Sequence, residues 1–208
     1  MDTLTAIFGT EAKVKILRLF LFNPEAVFFP VEISRRTKCP SAGVRKELGV
    51  LATAGILKKR LVSKEVVAAN LRMGGTKKIH GLGYALNERF EHLEPLKNLL
   101  TVSTVPADET LLKRFSGCGK MKLFMASGIF IHNWDARVDL LIVGDELVLS
   151  KIEASIKDIE AEFGKEISYS AFETQDFEYR FGIHDRLIRD ILDYPHVTLL
   201  DRLGAEPH

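Results

Sequence analysis

Ala42, Arg45, Lys46 and Gly49 stand at i, i+3, i+4 and i+7, a spacing that puts them on one face of a helix. Small residues there permit close approach by a second molecule, and the two cations suit phosphates and guanine edges. The other face carries Val44, Leu48 and Leu51, an anchoring stripe. Charge points the same way. Residues 30–80 hold 12 Lys+Arg against three acids, and a balance of +9 over so short a stretch is the footprint of a polyanion-binding surface. Ser41, Ala42, Arg45, Lys46 and Gly49 are the candidates to enter a major groove. Arg35, Arg36, Lys58, Lys59, Lys77 and Lys78 are the candidates to hold phosphates or reach a minor groove. The plainer alternatives are a solvated basic surface or a face used for protein contacts.

Other chemistry-bearing residues form no recognisable set. The six histidines show no HxxxH or HExxH spacing, so no metal is assigned. Cys39 and Cys118 form no CxxC pair and read as two reduced thiols. Gly74-Gly75 with Lys77-Lys78 lacks the GxxxxGK[ST] pattern of a phosphate loop and fits a hairpin tip. Trp134, the one tryptophan, reads as a packing residue or a stacking platform. No cofactor is expected.

Net charge +1 conceals an asymmetry. Residues 1–100 carry 17 Lys+Arg against 9 Asp+Glu, whereas residues 101–208 carry 12 against 19. A basic half and an acidic half imply two domains with different partners. The apolar run "ILRLFLFNPEAVFF" is broken by Arg18, Asn23 and Pro24, so it cannot span a bilayer. No signal peptide is apparent, and the expected location is cytoplasmic, with no membrane partner.

The elements that position the basic residues follow from periodicity. Residues 10–22 have helical spacing and stop at Asn23-Pro24. A short helix fits 30–37, with Pro30 in its first turn. Ser41 is placed as the N-cap of a third helix, which Gly55 ends. An extended stretch from Ile56, a Gly-rich tip and the strand "IHGLGYALN" make a hairpin, with Leu82, Tyr84 and Leu86 as its inward set. Two helices, a short turn and a hairpin with a basic tip form the pattern of a winged helix-turn-helix. Residues 88–100 read as helical, with a kink or break at Pro95, and their amphipathic pattern marks them as a dimer surface. "STVPAD" is the linker. Beyond it come strands at 120–131, 138–144, 166–172 and 196–201, with helices at 146–162 and 174–192. This order argues for a mixed sheet.

The segment "FFPVEISRRTKCPSAGVRKELGVLATAGILKKR" resembles the winged-helix domains of bacterial and archaeal ArsR-like transcriptional regulators. Ile33, Val44, Leu48, Leu51 and "AGIL" are the core markers of that resemblance, which covers about residues 8–87. It implies sequence-specific binding of double-stranded DNA, usually as a homodimer on a two-fold operator.

The segment "KLFMASGIFIHNWDARVDLLIVGD", with "EISYSAFE" and "HVTLLD" downstream, is similar to minimal nucleotidyltransferase domains of the polymerase-β-like superfamily. Those domains pair a Gly-Ser turn with Asp-x-Asp, whose carboxylates at i and i+2 face one way on a strand and share divalent metals. This chain departs from that pattern. Ser127 and Gly128 survive from the turn without the preceding glycine. Arg137 replaces the first carboxylate, Asp139 keeps the second, and Ser168 and Ser170 stand where the third acid belongs. Asp135 lies about 13 Å from Asp139 on an extended strand. An arginine two residues from Asp139 is expected to pair with it, so the site reads as degenerate: Ser127, Gly128, Arg137 and Asp139, with no catalytic set.

The expected fold class is α+β: a winged helix-turn-helix (residues 1–87), a helix and linker (88–106), and a nucleotidyltransferase-like domain with a small mixed sheet (107–208). The expected function is DNA-binding transcriptional regulation, with the second domain serving dimerisation or the sensing of a nucleotide or other small-molecule effector. The alternative is an active metal-dependent nucleotidyltransferase that modifies a protein or small molecule.

Overall fold

The computed structural model describes residues 3–67, 76–102, 108–133 and 136–205, without the side chains of 64–67, 76–79 and 102. The chain is mixed α+β with two small sheets. It divides into two compact units: Met1–Ser103 together with Ala161–Lys165, and Thr104–Glu160 together with Glu166–His208.

The first unit opens with a short helix, α1 (Thr3–Phe8), and then α2 (Glu11–Phe22). Thr10 caps α2 by accepting from the Lys13 amide at 3.1 Å. Every residue of α2 from Ile16 to Leu21 is buried, so this is the helix around which the unit packs. Its one buried cation, Arg18, donates from Nε to the Leu100 carbonyl at 3.1 Å. Residues 161–165 complete this unit, where the Asn23 side-chain amide donates to the Gly164 carbonyl at 2.7 Å.

After the two-residue β1 (Val27–Phe28) come α3 (Pro30–Thr37) and α4 (Ser41–Thr53). Pro30 opens α3, and the Glu32 carboxylate accepts from the Phe29 amide at 2.6 Å. Ser41 is not the N-cap of α4. Pro40 holds that position, with φ −58° and ψ 137°, and Ser41 is the first helical residue. Its hydroxyl lies 3.2 Å from that of Ser34, which donates to the Cys39 carbonyl. Gly55, at φ +77°, ends α4. The Ile56 amide reaches the Leu51 carbonyl and the Gly55 amide reaches that of Ala52, the paired bonds of a Schellman turn.

Strands β2 (Leu57–Val67) and β3 (Thr76–Leu86) pair antiparallel over eleven residues each, and β1 lies on the far edge of β3. Leu17, Phe20, Ile33, Val44, Leu48, Leu51, Leu57, Tyr84 and Leu86 share one core. Leu82 does not join them. Leu82 is exposed, so the inward alternation of β3 continues into solvent at this point. Helix α5 (Leu93–Val102) starts later than the pattern implied and carries Pro95 in its first turn, where a missing amide hydrogen leaves no bond unmade.

The second unit begins with α6 (Glu109–Lys113). Its sheet has the order β6-β5-β4-β7, formed by β4 (Lys120–Ala126), β5 (Leu140–Asp145), β6 (Tyr169–Glu173) and β7 (Val197–Asp201). Only the β5–β6 pairing is parallel, so the sheet is mixed. β4 stops at Ala126, short of the expected Ile131, because Gly128 at φ +56° turns the chain into a 3₁₀ segment, Gly128–Ile131. Helix α7 (Leu149–Phe163) buries Ile152, Ile156 and Ile159 on one face, as its spacing implied. Helices α8 (Thr174–Gly182) and α9 (Arg186–Asp193) contribute Phe177, Ile188 and Ile191 to a core with Leu123, Leu141 and Val143.

Candidate functional site

Helix α4 presents Ser41, Ala42, Arg45, Lys46 and Gly49 to solvent, while Val44, Leu48 and Leu51 are buried. The division of faces read from the spacing is therefore the one observed. The outward face continues past Gly49 into a shallow depression lined by Lys46, Gly49, Val50, Thr53 and Ala54. Val50, Thr53 and Ala54 escaped the sequence reading because none of them is charged. A Cβ built on Gly49 would meet nothing within 4 Å, so no contact inside the protein requires glycine there.

The cations flank this face unequally. Arg35 is exposed on α3. Arg36 is half buried, its guanidinium 5.2 Å from the centre of the Phe28 ring, a cation–π contact. Lys58, Lys59 and Arg60 are exposed at the start of β2; Arg60 belongs with the two lysines and was counted in the sequence only as part of the basic total. Lys77 and Lys78 lie on β3 with side chains outside the described residues. Among the described residues, Arg35, Arg45, Lys46, Lys58, Lys59 and Arg60 form no ion pair.

Two of the three acids of the same stretch are engaged within the protein, and the side chain of the third, Glu65, lies outside the described residues. Glu32 is spent on the Phe29 amide. Glu47 is only 4% exposed; it accepts from the Thr10 hydroxyl at 3.1 Å and pairs with Lys13 at 3.3 Å. Sequence counting sets these acids against the cations, whereas the fold removes them from the face that a polyanion would meet.

Asp139 has a different environment. It is 8% exposed, and each carboxylate oxygen holds one backbone amide: Oδ1 that of Ile129 at 2.9 Å, Oδ2 that of Ser168 at 2.8 Å. Its own amide donates to the Ser168 carbonyl at 2.7 Å, and its carbonyl accepts from the Ser127 amide at 2.8 Å. The Ser127 hydroxyl donates to the Val138 carbonyl at 2.7 Å. A Cβ on Gly128 would collide with Asp139 Oδ1, so glycine is required on steric as well as conformational grounds. Asp139 ties the Ser127–Gly128 turn to the chain leading into β6.

Arg137 does not pair with Asp139. Its Nη1 lies 2.8 Å from Asp190 Oδ2 on α9; Asp139 is buried and its oxygens face backbone amides, whereas Asp190 offers a partly exposed carboxylate. Ser170 is paired in the sheet with Leu141. Asp135 and Trp134 lie outside the described residues. Among the described residues, no three His, Cys, Asp or Glu side chains are grouped so as to hold a metal ion. Comparisons with protein-family models, curated proteins and solved structures gave no match.

Proposed function

We propose that this chain is a DNA-binding transcriptional regulator. Its winged helix-turn-helix reads a duplex through α4. Its nucleotidyltransferase-like second domain serves dimerisation or the sensing of a nucleotide or other small-molecule effector. The observation that carries this reading is the segregation of charge in the first unit. Cations without ion-pair partners look outward from α3, α4 and β2, while Glu32 and Glu47 are engaged elsewhere. Small residues on the exposed face of α4 leave room for a groove floor. The proposed dimer contact runs through residues 88–100. The alternative of a metal-dependent nucleotidyltransferase gains no support from Asp139, whose two oxygens are occupied by amides.

Selection from random DNA, followed by fluorescence anisotropy on the selected duplex, tests the reading. Arg45→Ala plus Lys46→Ala abolishes sequence-specific binding and leaves the melting curve unchanged, since both side chains are exposed. Lys58→Ala plus Lys59→Ala weakens binding to every sequence alike and flattens the log–log salt slope by about 2. Unchanged affinity of the Arg45/Lys46 variant at physiological salt overturns the assignment.

A further inference from the structure

The β2–β3 hairpin outreaches the core that anchors it. Along one side of the ribbon, Leu57, Lys59 and Leu61 on β2 stand directly opposite Leu86, Tyr84 and Leu82 on β3. Leu57, Tyr84 and Leu86 are buried. Farther out on the same side, Leu61 is 86% exposed and its partner Leu82 45% exposed. Directly opposed residues have Cβ atoms about 5 Å apart, so the two leucines form one apolar knob on a solvated ribbon.

Charge indicates what meets that knob. Lys58, Lys59 and Arg60 immediately precede Leu61, are exposed, and form no ion pair among the described residues. A second copy of the chain seated on the knob would bring the same cations together, and like charges across a contact oppose association. A polyanion is attracted by them. Against a duplex, a leucine offers no hydrogen bond, and the contact open to it in a minor groove is insertion between base pairs.

We propose that Leu61 and Leu82 form a wedge that enters the minor groove, partly unstacks one base step and bends the duplex. This rests on the reading of the first unit as a duplex-binding module. Lys59, on the same side of the ribbon, holds a phosphate beside the wedge, and Lys58 and Arg60, on the other side, add to the positive field while α4 occupies the major groove. Pyrimidine–purine steps unstack more readily than stiff A-tracts, so the wedge favours duplexes with a TA or CA/TG step at its point of entry.

The test uses the full chain and duplexes of about 30 bp, short enough to be straight when free. Donor and acceptor dyes at the two ends report bending, and anisotropy reports binding. The wild type raises energy transfer and binds a duplex with a central TA step about tenfold tighter than one with an A-tract there. Leu61→Ser plus Leu82→Ser melts as the wild type does and keeps the salt slope, because no cation is removed. It loses both the bend and the TA preference. Wild-type binding without bending overturns the wedge and leaves the proposed function standing; absence of duplex binding overturns both. Sedimentation covers the remaining case: a double variant that dissociates to half the wild-type mass yet still bends DNA makes the knob a self-association contact and overturns the wedge.

Discussion

Replacing Asp139 with alanine strips partners from two backbone amides at once, the buried one of Ile129 and the part-buried one of Ser168. A buried orphaned donor costs about 1–3 kcal/mol, and one that water reaches costs less, so Asp139→Ala lowers the urea-unfolding stability of the second unit by roughly 2 kcal/mol. Duplex affinity of the first unit is unaffected, as anisotropy will show. The acidic residue that a motif reading selects for metal chemistry thus acts as a staple, and its sequence signature does not reveal which way its oxygens turn. Gly49→Ala has the opposite character. With open space around the new methyl group, it stabilises the first unit by about 1 kcal/mol while weakening duplex binding. Greater stability with undiminished binding would show that no groove floor approaches α4 at this point.

At the level of elements, the helices with strong apolar periodicity were readable and the punctuation between them was not. α3 has the bounds expected from sequence, and the buried stripe of α4 is the expected one. The N-cap of α4 is Pro40 rather than Ser41 because the ring of proline sets a dihedral suited to the cap, and boundary signals are ambiguous by a residue. α1, β1 and α6, of six, two and five residues, are too short for any period to emerge. Alternation marked Leu82 as inward, but it carries no information on how far a core extends. The Schellman turn after α4 gives a test at this scale: Gly55→Ala places a side chain at φ +77° and destabilises the first unit by about 1–2 kcal/mol, measured by the shift in denaturation midpoint.

For the molecule as a whole, the basic and acidic halves visible in composition supplied the strongest clue to the proposed polyanion-binding unit, because charge density does not depend on register or cap geometry. What composition could not supply was the disposal of Glu32 and Glu47, which required knowing which side chains cap and which are buried. Nor could linear order disclose that a stretch near residue 163 completes the fold begun at α1. That arrangement has a consequence for biosynthesis. On the ribosome, the Asn23 amide has no Gly164 carbonyl to meet until synthesis has run some 140 residues beyond it. The nascent basic unit therefore waits, incomplete, until residues 161–165 emerge, and expressing residues 1–103 alone yields a polypeptide that lacks a piece of its own interior.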